Sequence, residues 1–139
     1  MIAIDTNVLV YAHRAEYSNH AVAKAKLVEL AVGMAPWGVP IFCLGEFVRV
    51  VTHRRVLNPP SSLDQAIAFL DRLTESESYR LLLPDVEYWS DLKSALGSAS
   101  ARGNLAFDAQ LAALCVRHGA TLLTADRDFS RFSIRTESL

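Results

Sequence analysis

The sequence predicts a single α/β domain, residues 1–139, with a mostly parallel central sheet flanked by helices. Three observations carry that expectation. Short apolar runs alternate with longer segments whose apolar residues recur at helical spacing. Strands and helices that take turns build βαβ units and hence parallel pairing. The length of 139 residues suits one domain, and neither an internal repeat nor a linker interrupts it.

The elements follow in order. Ile2-Ala3-Ile4, ending at Asp5, reads as a buried parallel strand. Asn19 caps a helix running to about Gly33 through Ala21, Val22, Ala25, Leu27, Val28 and Ala31. Gly33, Pro36, Gly38 and Pro40 mark a connection, with a second strand at Val39 to Ile41. A helix from about Leu44 to Arg54 is broken by Asn58-Pro59-Pro60. Ser61 or Ser62 caps the next helix, with Ala66, Ile67, Phe69 and Leu70 as its apolar side. Tyr79 to Leu83 is a strand stopped by Pro84, Val86 to Leu96 is helical, and Gly97 to Gly103 is a loop of small residues. Asn104 starts a helix that ends at Arg117-His118-Gly119, a basic last turn and a C-cap glycine. Ala120 to Thr124 is a strand, Asp126 to Phe129 a turn, and Phe132 to Thr136 a short edge strand.

Composition narrows the function classes. Hydrophobic residues make up 51% and charged residues 21%, which excludes wholesale disorder. Fourteen basic against fifteen acidic side chains give a net charge of −1, so a strongly basic nucleic-acid coat is absent. Eleven of the fourteen bases are arginine, the side chain suited to two-pronged phosphate contacts. Apolar runs are too short to span a membrane, and the N-terminus lacks the basic region of a secretory signal, so a cytoplasmic protein is expected. Cys43 and Cys115 lie in apolar helical contexts and read as buried thiols in a reducing compartment.

Most acids fall on polar helix faces or in loops, but four do not. Asp5 and Asp126 follow the ends of the first and last main strands, where α/β sheets bind ligands. Glu46, with Phe42 and Val50 one turn away on either side, and Asp108, with Leu111, Ala112 and Cys115 following, sit on core-facing stripes near helix starts. Burying ionised carboxylates requires compensating positive charge. No lysine or arginine accompanies each of them in sequence, whereas a hard divalent cation, Mg²⁺ or Mn²⁺, accepts oxygen ligands of this kind. Such a site suits phosphoryl transfer.

Four segments carry a family resemblance. They are Asp5-Thr6-Asn7-Val8-Leu9-Val10-Tyr11; Leu44 to His53 around Glu46; Gly103 to Ala113 around Asp108; and His118 to Phe129 around Asp126. Together, in this order and at this length, they resemble PIN-domain nucleases, in particular the VapC-type toxins of bacterial type II toxin–antitoxin pairs. The resemblance covers nearly the whole chain. It implies a Rossmann-like fold and a Mg²⁺- or Mn²⁺-dependent endoribonuclease that hydrolyses RNA with a metal-activated water. It places catalytic and metal-binding roles on Asp5, Glu46, Asp108 and Asp126. Asp128 is the neighbouring acid, and the motif does not decide which of Asp126 and Asp128 ligates. Thr6 and Asn7 are expected to orient Asp5, and Thr124 to support the site. Arg102 and Arg127 are the arginines expected to meet RNA phosphates. A homodimer and a small VapB-type antitoxin, whose C-terminal segment blocks the acidic groove, are the implied partners. Two alternatives remain: a catalytically silent RNA- or protein-binding module on the same fold, and an aspartate-dependent phosphotransfer protein. The second lacks a late-strand lysine and has Asn7 where phosphatases carry a second aspartate.

Overall fold

The computed structural model describes all residues, 1–139. Five strands, β1 (Ile2–Ile4), β2 (Trp37–Pro40), β3 (Tyr79–Leu82), β4 (Thr121–Thr124) and β5 (Thr136–Ser138), form one sheet in the order β3-β2-β1-β4-β5. Every neighbouring pair is parallel, as the alternating pattern requires. Six helices connect them: α1 (Thr6–His13), α2 (His20–Val32), α3 (Ile41–Val51), α4 (Leu63–Thr74), α5 (Tyr88–Ser98) and α6 (Asn104–His118). Helix α1 packs on α2 and α3, α3 packs on α4, and α5 packs on α6. The chain winds away from β1 in one direction through β2 and β3, then returns to β4 on its other side. The β1–β4 boundary is therefore the topological switch point, where a crevice opens beyond the strand ends.

The core is made of Ile4, Leu9, Trp37, Val39, Phe47, Leu82, Leu122, Leu123 and Phe129, all buried. Trp37 and Phe47 thus belong to packing, while Trp89 stands exposed beneath the Lys93 ammonium. Cys43 and Cys115 are buried free thiols, and burial pushes both up, Cys115 to about 12. No helix is long and apolar enough to cross a membrane.

Several elements depart from the sequence expectation. Helix α1 has no counterpart in it. Thr6–His13 follows β1 with no Gly or Pro between, and apolar residues surround the helix, so neither a turn signal nor a period announces it. What starts it is Asp5, whose Oδ1 accepts from the Thr6 N–H at 2.6 Å and makes this acid the helix N-cap. The second strand begins at Trp37 and ends at Pro40, leaving Ile41 as the first residue of α3 rather than the last of a strand. The expected edge strand at Phe132 to Thr136 lies later, at Thr136–Ser138, because Phe132 is used as a core anchor beside Phe129, ring centroids 6.1 Å apart. The helix caps follow expectation at α4, where Ser62 and Gln65 exchange bonds in a capping box. They do so again at the end of α6, where Gly119 adopts φ 58°.

Gly38 is demanded by packing. A β-carbon there would lie 2.3 Å from the Arg80 carbonyl oxygen on β3, a backbone atom that cannot swing aside. Gly38→Ala is accordingly expected to destabilise the fold by at least about 1–3 kcal/mol through forced separation of β2 and β3. Chemical denaturation of the variant beside wild type measures this, and an unchanged midpoint would contradict the close approach.

Candidate active site

The site is assembled at the carboxyl ends of β1 and β4. Asp5 is buried, yet its carboxylate is well supplied with donors. Oδ2 accepts from Asn7 Nδ2 and from Thr124 Oγ1, each at 2.6 Å, beside the Thr6 N–H on Oδ1. Asn7 Oδ1 in turn accepts from the Ala125 N–H at 3.1 Å, and Thr124 Oγ1 accepts from the Asp126 N–H at 2.9 Å. Asp126 caps the next turn by accepting from the Asp128 N–H at 2.8 Å. This chain of bonds ties the start of α1 to the loop after β4 and fixes the direction of Asp5. Asn7 and Thr124 therefore both contact Asp5 directly. Thr6 does more than expected: its N–H holds Asp5, and its Oγ1 donates to Glu46 Oε2 at 2.7 Å, joining α1 to α3.

Glu46 reaches the site because α3 starts directly after β2, and Asp108 because it lies in the second turn of α6. Asp5, Glu46, Asp108 and Asp126 all line one cleft of about 300 Å³, together with Thr6, Asn7, Tyr11, Tyr17 and Phe107. A larger cleft of about 670 Å³ shares Glu46, Phe107, Asp108 and Asp126 and adds Phe42, Arg49, Asn104 and Asp128. Asp126 faces both clefts and Asp128 only the outer one. No lysine lines either, which removes the residue a phosphotransfer aspartate needs.

The electrostatics follow from the crowding. Asp5 is pushed up to about 6, chiefly by burial; the bonds from Thr124 and Thr6 oppose the shift, and Glu46 and Asp126 add to it. Asp108 is likewise pushed up to about 6, first by burial and then by the charges of Asp126, Asp5, Asp128 and Glu46. Asp5 and Asp108 thus both feel the other acids of the cleft, although these come from distant parts of the chain.

One expectation needs correction. Glu46 does have a cation beside it: Arg49, one helical turn on, places Nη2 3.3 Å from Glu46 Oε1. The signal was present in the i, i+3 spacing. Arg102 and Arg127 are exposed and line neither cleft. The histidines are used locally, His13 against Ser61 and His20 on the Tyr11 carbonyl.

As the side chains stand, no three acids meet within ligating reach of a common point. The donor chemistry nevertheless suits a hard cation. The inner cleft offers carboxylate and hydroxyl oxygens, contains no basic residue, and holds two carboxylates whose ionisation is opposed first by burial and then by the neighbouring acids. Asp126 is held through Oδ1 alone, by the Asp128 N–H, whereas both oxygens of Asp5 are engaged.

An all-parallel sheet with acids gathered at its switch point defines an α/β fold of the ligand-binding type. The PIN domain family profile matches residues 2–134, and the chain belongs to that family, among its VapC ribonucleases. It is 40% identical over 132 residues to ribonuclease VapC43 of Mycobacterium tuberculosis, covering 95% of this chain and 90% of that protein. The fold matches the crystal structure of VapC20 from M. tuberculosis, described as a Sarcin-Ricin loop cleaving toxin, with a TM-score of 0.71 at 18% identity and 96% coverage of both chains. It also matches VapBC2 from Rickettsia felis, bound to a DNA fragment from its promoter, with a TM-score of 0.69 at 21% identity, over 99% of this chain and 98% of that one.

Proposed function

We propose that this chain, acting as one PIN unit over residues 1–139, is a divalent-cation-dependent endoribonuclease and the toxin of a VapBC-type pair. The observation that carries the reading is the convergence of Asp5, Glu46, Asp108 and Asp126 on one cleft, where burial and the neighbouring charges raise Asp5 and Asp108. These four residues would hold Mg²⁺, or Mn²⁺ in its place, with Asp126 favoured over Asp128 because it alone faces both clefts. When bound, the cation supplies a more acidic water and neutralises charge on the phosphodiester as it is cleaved.

The chain's own residues prepare that chemistry. Thr124, Asn7 and the Thr6 N–H fix the Asp5 carboxylate in one direction, and Thr6 Oγ1 fixes Glu46 against the same wall. Rigid carboxylates avoid reorganisation when the substrate arrives. The same acidity defines the partner: a small antitoxin that presents a basic side chain to the cleft would neutralise it and exclude RNA. A homodimer and a cytoplasmic location, where RNA is met, complete the proposal.

Brief induction of the chain, followed by mapping of transcript 5′ ends beside an Asp5→Ala control, tests it. Discrete cleavage sites are expected with the intact chain and none with the control, with products ending in 5′-phosphate and 3′-hydroxyl. Cyclic 2′,3′-phosphate ends would overturn hydrolysis by water. Binding of RNA without any Asp5-dependent cleavage would favour a silent binding module.

A further inference from the structure

Asp5, Glu46, Asp108, Asp126 and Asp128 line the two clefts, and Arg49 is the only basic residue that lines either of them. A polyanion entering such a site meets five carboxylates and one guanidinium. Arg49 is 63% exposed and makes a single bond, from Nη2 to Glu46 Oε1 at 3.3 Å; its other N–H groups have no protein acceptor. That contact is long and one-pronged, whereas a guanidinium is built for two parallel bonds to a planar or tetrahedral oxyanion. The larger cleft around it also carries Phe42 and Phe107, apolar faces on which a base or ribose can lie.

Resting on the ribonuclease reading above, we propose that Arg49 is the phosphate clamp of this site. It exchanges its bond to Glu46 for a two-pronged contact with an RNA phosphate in the larger cleft, next to the one that is cleaved. The exchange has a second effect: Glu46 Oε1 is returned to the inner cleft at the moment RNA is seated, so substrate binding completes the carboxylate set. Arg49 is thus a positioning residue that holds RNA and releases Glu46, not a group that moves protons.

The test is a fluorescence-anisotropy titration of a short labelled oligouridylate with the full chain in calcium, over a series of KCl concentrations, with RNA integrity checked on a gel. A phosphate contact is independent of base sequence, so this probe suffices although the natural target is not used. Arg49→Ala is expected to weaken binding about tenfold and to lower the salt slope by about 0.7, one phosphate's worth on a single strand. Arg49→Lys is expected to keep the slope and lose part of the affinity. Arg135→Ala is the control for net charge, since Arg135 bonds the Gly119 carbonyl at the opposite end of the sheet. Arg49→Ala binding that matches Arg135→Ala would overturn the clamp and leave Arg49 as a mere counter-ion of Glu46. Loss of binding in Arg49→Ala with a wild-type chain that cleaves no RNA in Mg²⁺ would uphold the clamp and overturn the nuclease reading. The reverse result would do the opposite.

Discussion

Asp108→Asn is expected to abolish RNA cleavage and, at neutral pH without divalent cations, to make the fold more stable. The two effects share one cause. Asp108 is only partly buried, but the charges of Asp126, Asp5, Asp128 and Glu46 surround it, and burial together with that field raises it to about 6. Between roughly pH 4 and 6 the folded chain therefore retains a proton that the unfolded chain has lost. Stability falls as pH rises through that window, and the full penalty is present above it. Asparagine keeps the shape and removes the charge. The raw shift corresponds to about 3 kcal/mol, but Asp108 is only partly buried, and solvent screening reduces the expected gain to about 1 kcal/mol. Urea unfolding in EDTA reads this directly: the variant is more stable than wild type at pH 7.5, and the difference vanishes near pH 4. His13 has the opposite sign. Burial foremost holds it below its ordinary range, so its contribution is lost as pH falls, but it is common to both proteins and cancels. Cleavage should drop by at least about 100-fold, since even residues one step removed from a metal typically cost 10–100-fold. A variant with near-full activity in Mg²⁺ would remove Asp108 from the site.

The parts of this molecule that sequence made legible are those where one residue's identity decides the local geometry. A carboxylate directly after Ile2-Ala3-Ile4 has to stand at the carboxyl edge of a parallel sheet, and so does one just past Thr124; the switch point between β1 and β4 then joins them. Ser62 with Gln65, and Gly119 after a basic turn, are cap signals of the same local kind. What sequence did not show depends on packing. Helix α1 buries Val8, Leu9, Val10 and Ala12 in succession, so its apolar residues run together and blur the helical period. Gly38 and Pro40 look like punctuation, yet both lie in β2, where Gly38 serves the approach of Arg80. The alternation at Phe132 and Ile134 imitates a strand, but Phe132 is spent on the core.

The arginines show the same division. Arg102 and Arg127 are close to acids in sequence but line neither cleft, the one lying in a loop and the other in a short turn. Arg49 lies on the same helix as Glu46 at i+3, and helical geometry forces the two together. Proximity within a helix predicts contact; proximity through a loop does not.

Divalent cations are expected to stabilise the chain strongly at pH 7.5 and hardly at all at pH 5. Binding requires ionised carboxylates, and Asp5 and Asp108 both hold protons below about 6. If both protons must leave, affinity falls about 100-fold for each pH unit below that value; if one, about tenfold. At a concentration 100 times the dissociation constant, a bound ion adds about 2.7 kcal/mol to folding stability. For a chain of this size that is a rise in Tm of several degrees, on the order of 2–8 °C per kcal/mol. Calorimetric melts in Mn²⁺ at the two pH values, and titration calorimetry across the interval, measure the effect and the number of protons released. Asp108→Asn should shallow the pH dependence from two protons toward one, because only Asp5 remains to be discharged. Equal affinity at pH 5 and pH 7.5 would mean that the ion does not compete with these protons, and the acids of β1 and α6 would not be its ligands. The competition follows from burial: one cleft can pay for its negative charge with protons or with a cation, and the pH at which it changes from one to the other is set by how far Asp5 and Asp108 are raised.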